Sequence, residues 1–258
     1  MDDKPAATHI PKRTRIAVAL RTFLLEASWN NKGRQNLGIC FSILPALKRL
    51  YSGEGLKKAL KGHLSVFNTN PCFSGFIAGA IIEQEAHGRA DDPQAQPRMN
   101  RMKSMLGGTF GALGDDLMWF SLKPLLGTLA VLLFLLGHEW AFIWMVGIFS
   151  ASSIMLRFLG VELGLRGGLA VQQYLEKTKP KRIAVALKRA TCVLLGAVAG
   201  ILLSADMDSV AGYDGAWVGS FLALSIIVAC FALRSRNISS EKIGAGICAL
   251  VLIGVLLG

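Results

Sequence analysis

Residues 104–137 read SMLGGTFGALGDDLMWFSLKPLLGTLAVLLFLLG. The second half is apolar enough to lie in lipid, and the first half is rich in glycine. Two adjacent carboxylates, Asp115 and Asp116, stand between them. A charged side chain at the centre of a bilayer costs about 2.5–3.5 kcal/mol on insertion scales. With Gly114 before the pair and Pro124 after it, the stretch is expected to be a broken or re-entrant element. It would run from Ser104 to Gly114, turn at Gly114–Asp116, and continue as a span. Discontinuous helices of this kind place their ends at transporter binding sites. Gly107 and Gly111 are four apart, as are Gly108 and Ala112, which gives a small-residue face for close helix packing. A second reading stays open: Asp115 or Asp116 caps the N-terminus of the following helix.

Working outward, apolar runs cover roughly Ser121–Gly137, Trp140–Leu156, Ala190–Ala205, Ala216–Leu233 and Ile243–Gly258. Each is near the length that spans hydrocarbon. The whole chain of 258 residues is 52% apolar and only 17% charged, against about a quarter charged in soluble domains. That leaves too few ions to coat a globule. The net charge of +11 does not indicate nucleic acid, because the cations cluster between apolar runs as in cytoplasmic loops. Gly160–Arg189 carries Arg166, Lys177, Lys179, Lys181, Arg182, Lys188 and Arg189, and Arg234–Lys242 carries Arg234, Arg236 and Lys242. Asp206–Gly215 and Gly137–Glu139 carry no Lys or Arg. Basic and non-basic connections therefore alternate. The basic ones are expected in the cytoplasm and the C-terminus outside. The polar start, MDDKPAATHIPKRTR, does not read as a cleavable signal.

Residues 16–62 read differently, as amphipathic helices with basic faces built from Arg21, Lys48, Arg49, Lys57, Lys58 and Lys61. Phe67–Ile82 is apolar but short, and it contains Asn68, Asn70 and Pro71. Such a segment lies at the interface, or enters the membrane and turns back under cover of protein. The expected fold is an all-α integral membrane protein. Amphipathic and re-entrant N-terminal helices (residues 1–100) precede about five transmembrane helices (residues 101–258), within one membrane domain.

The candidate chemistry is sparse. Trp29-Asn30-Asn31-Lys32-Gly33-Arg34-Gln35-Asn36 interrupts an amphipathic stretch with amides, cations and an aromatic ring. An aromatic face beside amides suits a sugar, which offers C–H surfaces and vicinal hydroxyls. Asn30 reads equally well as a helix stop or cap. The histidines at positions 9, 63, 87 and 138 have no metal-ligand spacing. The cysteines at positions 40, 72, 192, 230 and 248 read as packing residues. No nucleophile elbow, phosphate loop or dinucleotide fingerprint occurs, so no catalytic residue, metal or cofactor is expected. Arg157 reads as a cation snorkelling at the inner end of a span.

Several stretches resemble one family. They are Ala27-Ser28-Trp29-Asn30, Gln35, Leu37-Gly38 and Pro45-Ala46-Leu47-Lys48-Arg49-Leu50-Tyr51, then His63-Leu64 followed by Phe67-Asn68-Thr69-Asn70-Pro71. Leu113-Gly114-Asp115, Trp119, Lys123-Pro124, Arg157, Gly160 and Gly164 continue the series in order. Together they are similar to the signatures of IID subunits of the bacterial mannose/fructose/sorbose-type sugar phosphotransferase system. The resemblance implies a permease subunit in the bacterial cytoplasmic membrane. It would pair with a IIC subunit, in an oligomer of IIC–IID heterodimers, to bind and translocate a hexose or amino-hexose. Cytosolic IIA and IIB carriers would deliver the phosphate, with no phosphorylated residue on this chain. Trp29, Asn30, Gln35, Asn68 and Asp115 are the expected sugar-binding residues, and Lys32 and Arg34 the expected contacts to IIB. The chain departs from the family pattern at Asn31-Lys32-Gly33-Arg34, where an aromatic-Glu-Arg-Met run is usual. It also lacks the proline usual before Gly114-Asp115. An alternative is therefore a diverged IID-like docking or regulatory protein without efficient transport.

Overall fold

The structure, a computed structural model, describes residues 10–88 and 94–211. The expected spans at Ala216–Leu233 and Ile243–Gly258, and the basic loop between them, lie outside the described residues. Within them the fold is helical, and the only extended pairings are isolated bridges from Arg34 to Asn30 and Phe67. Helix α1 (Lys12–Arg21) follows Pro11 and leads through a 3-10 turn at Thr22–Leu24 to the irregular stretch around Trp29. Helices α2 (Asn36–Leu50) and α3 (Gly53–His63) follow, and a 3-10 turn at Pro71–Phe73 opens α4 (Ser74–His87). Pro45 lies inside α2 and has no N–H to offer the carbonyl of Phe41. Arg21 of α1 fills that gap: its Nη1 donates to the Phe41 carbonyl at 3.2 Å, and its guanidinium lies 4.5 Å from the centre of the Phe41 ring.

Helix α4 is the hub. Ser74 through Ile82 are all buried, so the first nine residues of this helix are enclosed by protein on every side. It packs hardest on α7 (Ala141–Gly164). The contact is made by glycine. A Cβ on Gly79 would lie 2.8 Å from Gly164 Cα, and one on Gly160 would lie 2.6 Å from Phe76 N. Phe76, Phe73 and Phe110 stack beside this contact, with Phe76–Phe110 centroids 5.0 Å apart.

Among the described residues, three helical stretches are long and apolar enough to cross a membrane: Ala95–Leu135, Ala141–Gly164 and Gln173–Leu202. Two expectations are corrected here. The first concerns the stretch around Asp115. It neither breaks nor starts a helix. Helix α5 (Ala95–Gly114) passes into a π-helical segment, Asp115–Leu122, which passes into α6 (Lys123–Leu135). A π segment absorbs the extra residues by widening the helix, so the polar pair is accommodated without a turn. The second concerns Gly160–Arg189, which is not a loop. Helix α7 runs to Gly164, α8 occupies Gly168–Thr178, and α9 (Pro180–Ala211) begins before the expected span. The basic residues are spread over the turns at Arg166 and Lys179, the end of α8 and the first three turns of α9. Only short turns remain, with Gly167 at φ +91° and Lys179 at φ +46°.

Candidate functional site

The stretch Trp29–Asn36 is a tight loop held by its own amides. Asn30 Oδ1 accepts the Gly33 N–H at 2.7 Å, and Asn30 Nδ2 donates to Asn36 Oδ1 at 3.1 Å. Asn30 and Arg34 also exchange backbone bonds of 3.0 and 2.8 Å. Arg34 takes a left-handed φ of +60° to close the loop. The loop then grips residues 67–69. Gln35 N–H donates to the Phe67 carbonyl at 2.9 Å. The Gln35 side chain, 2% exposed, accepts from Thr69 N–H at 2.8 Å and donates to Thr69 O at 2.9 Å. Its Nε2 also donates to Glu26 Oε1 at 3.2 Å. The amide groups of Asn30 and Gln35 are thus committed to folding the loop and fixing its neighbour. Trp29 stays exposed, with the Arg34 guanidinium 5.8 Å from its ring centre. Lys32 is exposed as well.

From Thr69 the chain reaches Asp115 through Asn70, a residue the sequence reading did not single out. Asn70 Oδ1 accepts the Cys72 N–H at 3.0 Å and caps the Pro71–Phe73 turn. Its Nδ2 donates to Asp115 Oδ1 at 2.8 Å. The signal was present: an Asn directly before Pro at a helix start is a capping pattern. Gly114 is required at this point, because a Cβ there would collide with the Asn70 side chain. Gly107 has the same role one level down, where a Cβ would come within 2.9 Å of the Asn68 carbonyl. Asn68 itself is exposed, and Asp115 is half-buried. Between them α5 presents Gly108, Thr109 and Ala112 to the outside. The result is an open, small-walled strip with an amide at one end and a carboxylate at the other.

Asp116 faces elsewhere and pairs with Lys188 of α9. About twenty residues of continuous helix separate Asp115 from the turn at Gly137, a rise of about 30 Å. That is the thickness of a hydrocarbon core. The carboxylates therefore belong near the end of the apolar stretch, not at its middle, and the pairing with Lys188 puts the start of the α9 apolar run at the same level.

Two further polar groups tie the helices together, Lys103 buried and Glu85 partly buried. Lys103 is 1% exposed and donates to His63 O at 3.0 Å and Ser65 Oγ at 2.9 Å. Glu85 accepts from the Tyr51 hydroxyl at 2.5 Å and meets His63 Nε2 at 3.1 Å. Burial, together with the adjacent Glu85, pushes the Tyr51 phenol above its ordinary range. Arg157 does not snorkel. It is 6% exposed, donates to Ser153 Oγ, and lies 4.4 Å from the centre of the Phe23 ring. Helix α4 and the turn after α1 cover the place where it would have reached water.

A family model described as the PTS system mannose/fructose/sorbose family IID component matches residues 9–258. The chain belongs to this family. It is 34% identical to the sorbose-specific EIID component of Klebsiella pneumoniae over 160 residues, which is 60% of this chain and 57% of that protein. It is 33% identical to the mannose-specific EIID component of Escherichia coli (strain K12) over 159 residues, 60% of this chain and 55% of that protein. These matches span only a little over half the length of the relatives. Among solved structures, a mannose transporter, ManYZ, in complex with microcin E492 shares the fold. The TM-score is 0.58 at 22% identity, covering 97% of this chain and 98% of that one. A structure described as a membrane protein aligns with a TM-score of 0.68 at 22% identity, covering 96% of this chain and 97% of that one. In this IID component the signature residues Gln35, Asn68 and Asp115 come from separate elements and meet around residues 67–72. Trp29, Lys32 and Arg34 project from the adjoining loop.

Proposed function

We propose that the chain is a permease subunit of a bacterial sugar phosphotransferase system, pairing with a IIC subunit to bind and translocate a hexose or amino-hexose. The observation that carries this reading is the open strip on α5 between Asn68 and Asp115. A hexose needs both donors and acceptors, and an exposed amide opposite a carboxylate supplies them. Asp115 has spent one oxygen on Asn70, which aims the other. Trp29 offers an apolar face at the edge. Asn30 and Gln35 serve the sugar by holding this geometry. A wall of glycine and alanine lets sugar or partner backbone approach closely.

The membrane register follows from the same geometry. The Gly137 turn lies outside, and Asp115, Asp116 and Lys188 lie at the inner boundary. The basic ends of α7, α8 and α9 lie in the cytoplasm. Lys32 and Arg34 are then on the side from which a phosphorylated IIB carrier arrives, and they attract it by charge. Sugar passes to IIB for phosphorylation, and this chain carries no phosphate. These helices belong to a multi-pass subunit in the cytoplasmic membrane, in an oligomer of IIC–IID heterodimers.

The test is complementation. A bacterial strain lacking its own mannose-type IID, but supplied with IIC and the IIA/IIB carriers native to this system, is given the chain and a labelled hexose. Restored uptake is expected. Assembly with IIC but no uptake of any hexose or amino-hexose would favour the docking or regulatory role instead.

A further inference from the structure

A guanidinium buried on a membrane-crossing helix is expensive unless it is paired. Among the described residues, no carboxylate lies within ion-pairing distance of Arg157, and its Nε has no partner. Packing alone would be served as well by leucine or methionine. What Arg157 does hold is a chain of contacts that ends on residues 70–72. It donates to Ser153 Oγ, and Ser153 Oγ lies 3.3 Å from Cys72 Sγ. The Cys72 N–H is bound by Asn70, and Asn70 binds Asp115. Residues 70–72 are thus tied to a cation that never reaches the open strip. The coupling is stiff, because Gly75 brings the start of α4 against the Arg157 carbonyl too closely for any Cβ.

We propose that Arg157 is a positioning residue for the sugar site: it fixes residues 70–72, and with them the aim of Asp115. The proposal rests on the permease reading above. In Arg157→Met the bond to Ser153 is lost. Arg157→Lys keeps the charge but not the planar fork. Ser153→Ala keeps the arginine and cuts its link to Cys72.

Two readouts are taken on the chain co-expressed with its IIC. The first is the rate at which a membrane-permeant maleimide labels Cys72 in a chain whose other cysteines are alanine. The second is the KM and maximal rate of sugar uptake at matched levels of assembled complex. Losing a buried charge-assisted bond is worth about tenfold or more in an equilibrium. Arg157→Met is expected to label about tenfold faster and to raise KM about tenfold with the maximal rate less affected. Arg157→Lys and Ser153→Ala are expected to fall in between on both readouts. Unchanged labelling in Arg157→Met and Ser153→Ala overturns the network. Faster labelling with an unchanged KM overturns the positioning role. A wild-type complex that transports no sugar refutes the permease reading itself, and the unsubstituted control shows that separately.

Discussion

Replacing Gln35 by alanine should unfold the site before it weakens any ligand. Gln35 spends its amide on both backbone groups of Thr69, at 2.8 and 2.9 Å, and on Glu26 at 3.2 Å. Thr69 is 4% exposed, so water does not readily replace the lost partner. Leaving a buried backbone N–H and C=O unpaired costs about 1–3 kcal/mol each. The expected loss is about 2–5 kcal/mol, a large share of the roughly 5–15 kcal/mol that holds a domain together. For a chain of this size that lowers the midpoint of thermal unfolding by roughly 5–15 °C. Gln35→Glu should be no rescue. A carboxylate can accept from Thr69 N–H, but it opposes the Thr69 carbonyl and the Glu26 carboxylate. Asn30→Ala is the contrast, because its loop is partly exposed and water can take its place, so the cost is about 1 kcal/mol. The assay heats the detergent-extracted complex and measures the monodisperse fraction by size-exclusion chromatography. If Gln35→Ala melts with the unsubstituted chain while sugar affinity falls, Gln35 is a direct ligand and the positioning role is wrong.

Three further outcomes follow. Gly79→Ala and Gly164→Ala should each destabilise by about 1–3 kcal/mol through overpacking between α4 and α7, whereas Gly147→Ala, with open space around it, should be neutral; equal melting of all three would refute the glycine contact. Burial pushes the Cys40 thiol up to about 11 from 9.0, so alkylation of a Cys40-only chain should keep accelerating past pH 9, and levelling at pH 9 would contradict it. The sign for stability is set by the same shift: the protonated thiol's contribution is fully present below pH 9 and is lost as pH rises toward 11. A cysteine at His138 should react with an impermeant maleimide from outside intact cells and one at Lys181 should not, and the reverse pattern would invert the topology.

Much of this was legible because hydropathy and charge act over long runs. The apolar stretches at 121–137, 140–156 and 190–205 each overlap, for most of their length, a helix fit to cross a membrane. The signature residues also named the family. What periodicity could not show was how the polar residues are used. The Asp115-Asp116 pair read as a break because a carboxylate in lipid is costly. The π segment and the Asn70 and Lys188 partners remove that cost through contacts distant in sequence. The Trp29–Asn36 knot read as sugar-binding amides, with a helix stop or cap as the equal alternative at Asn30; Asn30 closes a local loop and Gln35 reaches Thr69. Arg157 read as a surface cation because nothing in its own helix shows that α4 and Phe23 cover it. Asn70 was not among the expected site residues, although the Asn-Pro pair marked it as a cap.

The central claim is that the strip between Asn68 and Asp115 binds sugar. The most direct test is sugar binding to the purified complex of this chain with its IIC partner, comparing the unsubstituted chain with Asp115→Asn. Asparagine can still accept from Asn70, so the fold is kept while the charge aimed at the strip is removed. The account predicts an intact complex whose affinity falls by about one to two decades, the loss of a charged hydrogen bond of roughly 1.5–3 kcal/mol. Unchanged affinity in an intact complex would contradict it.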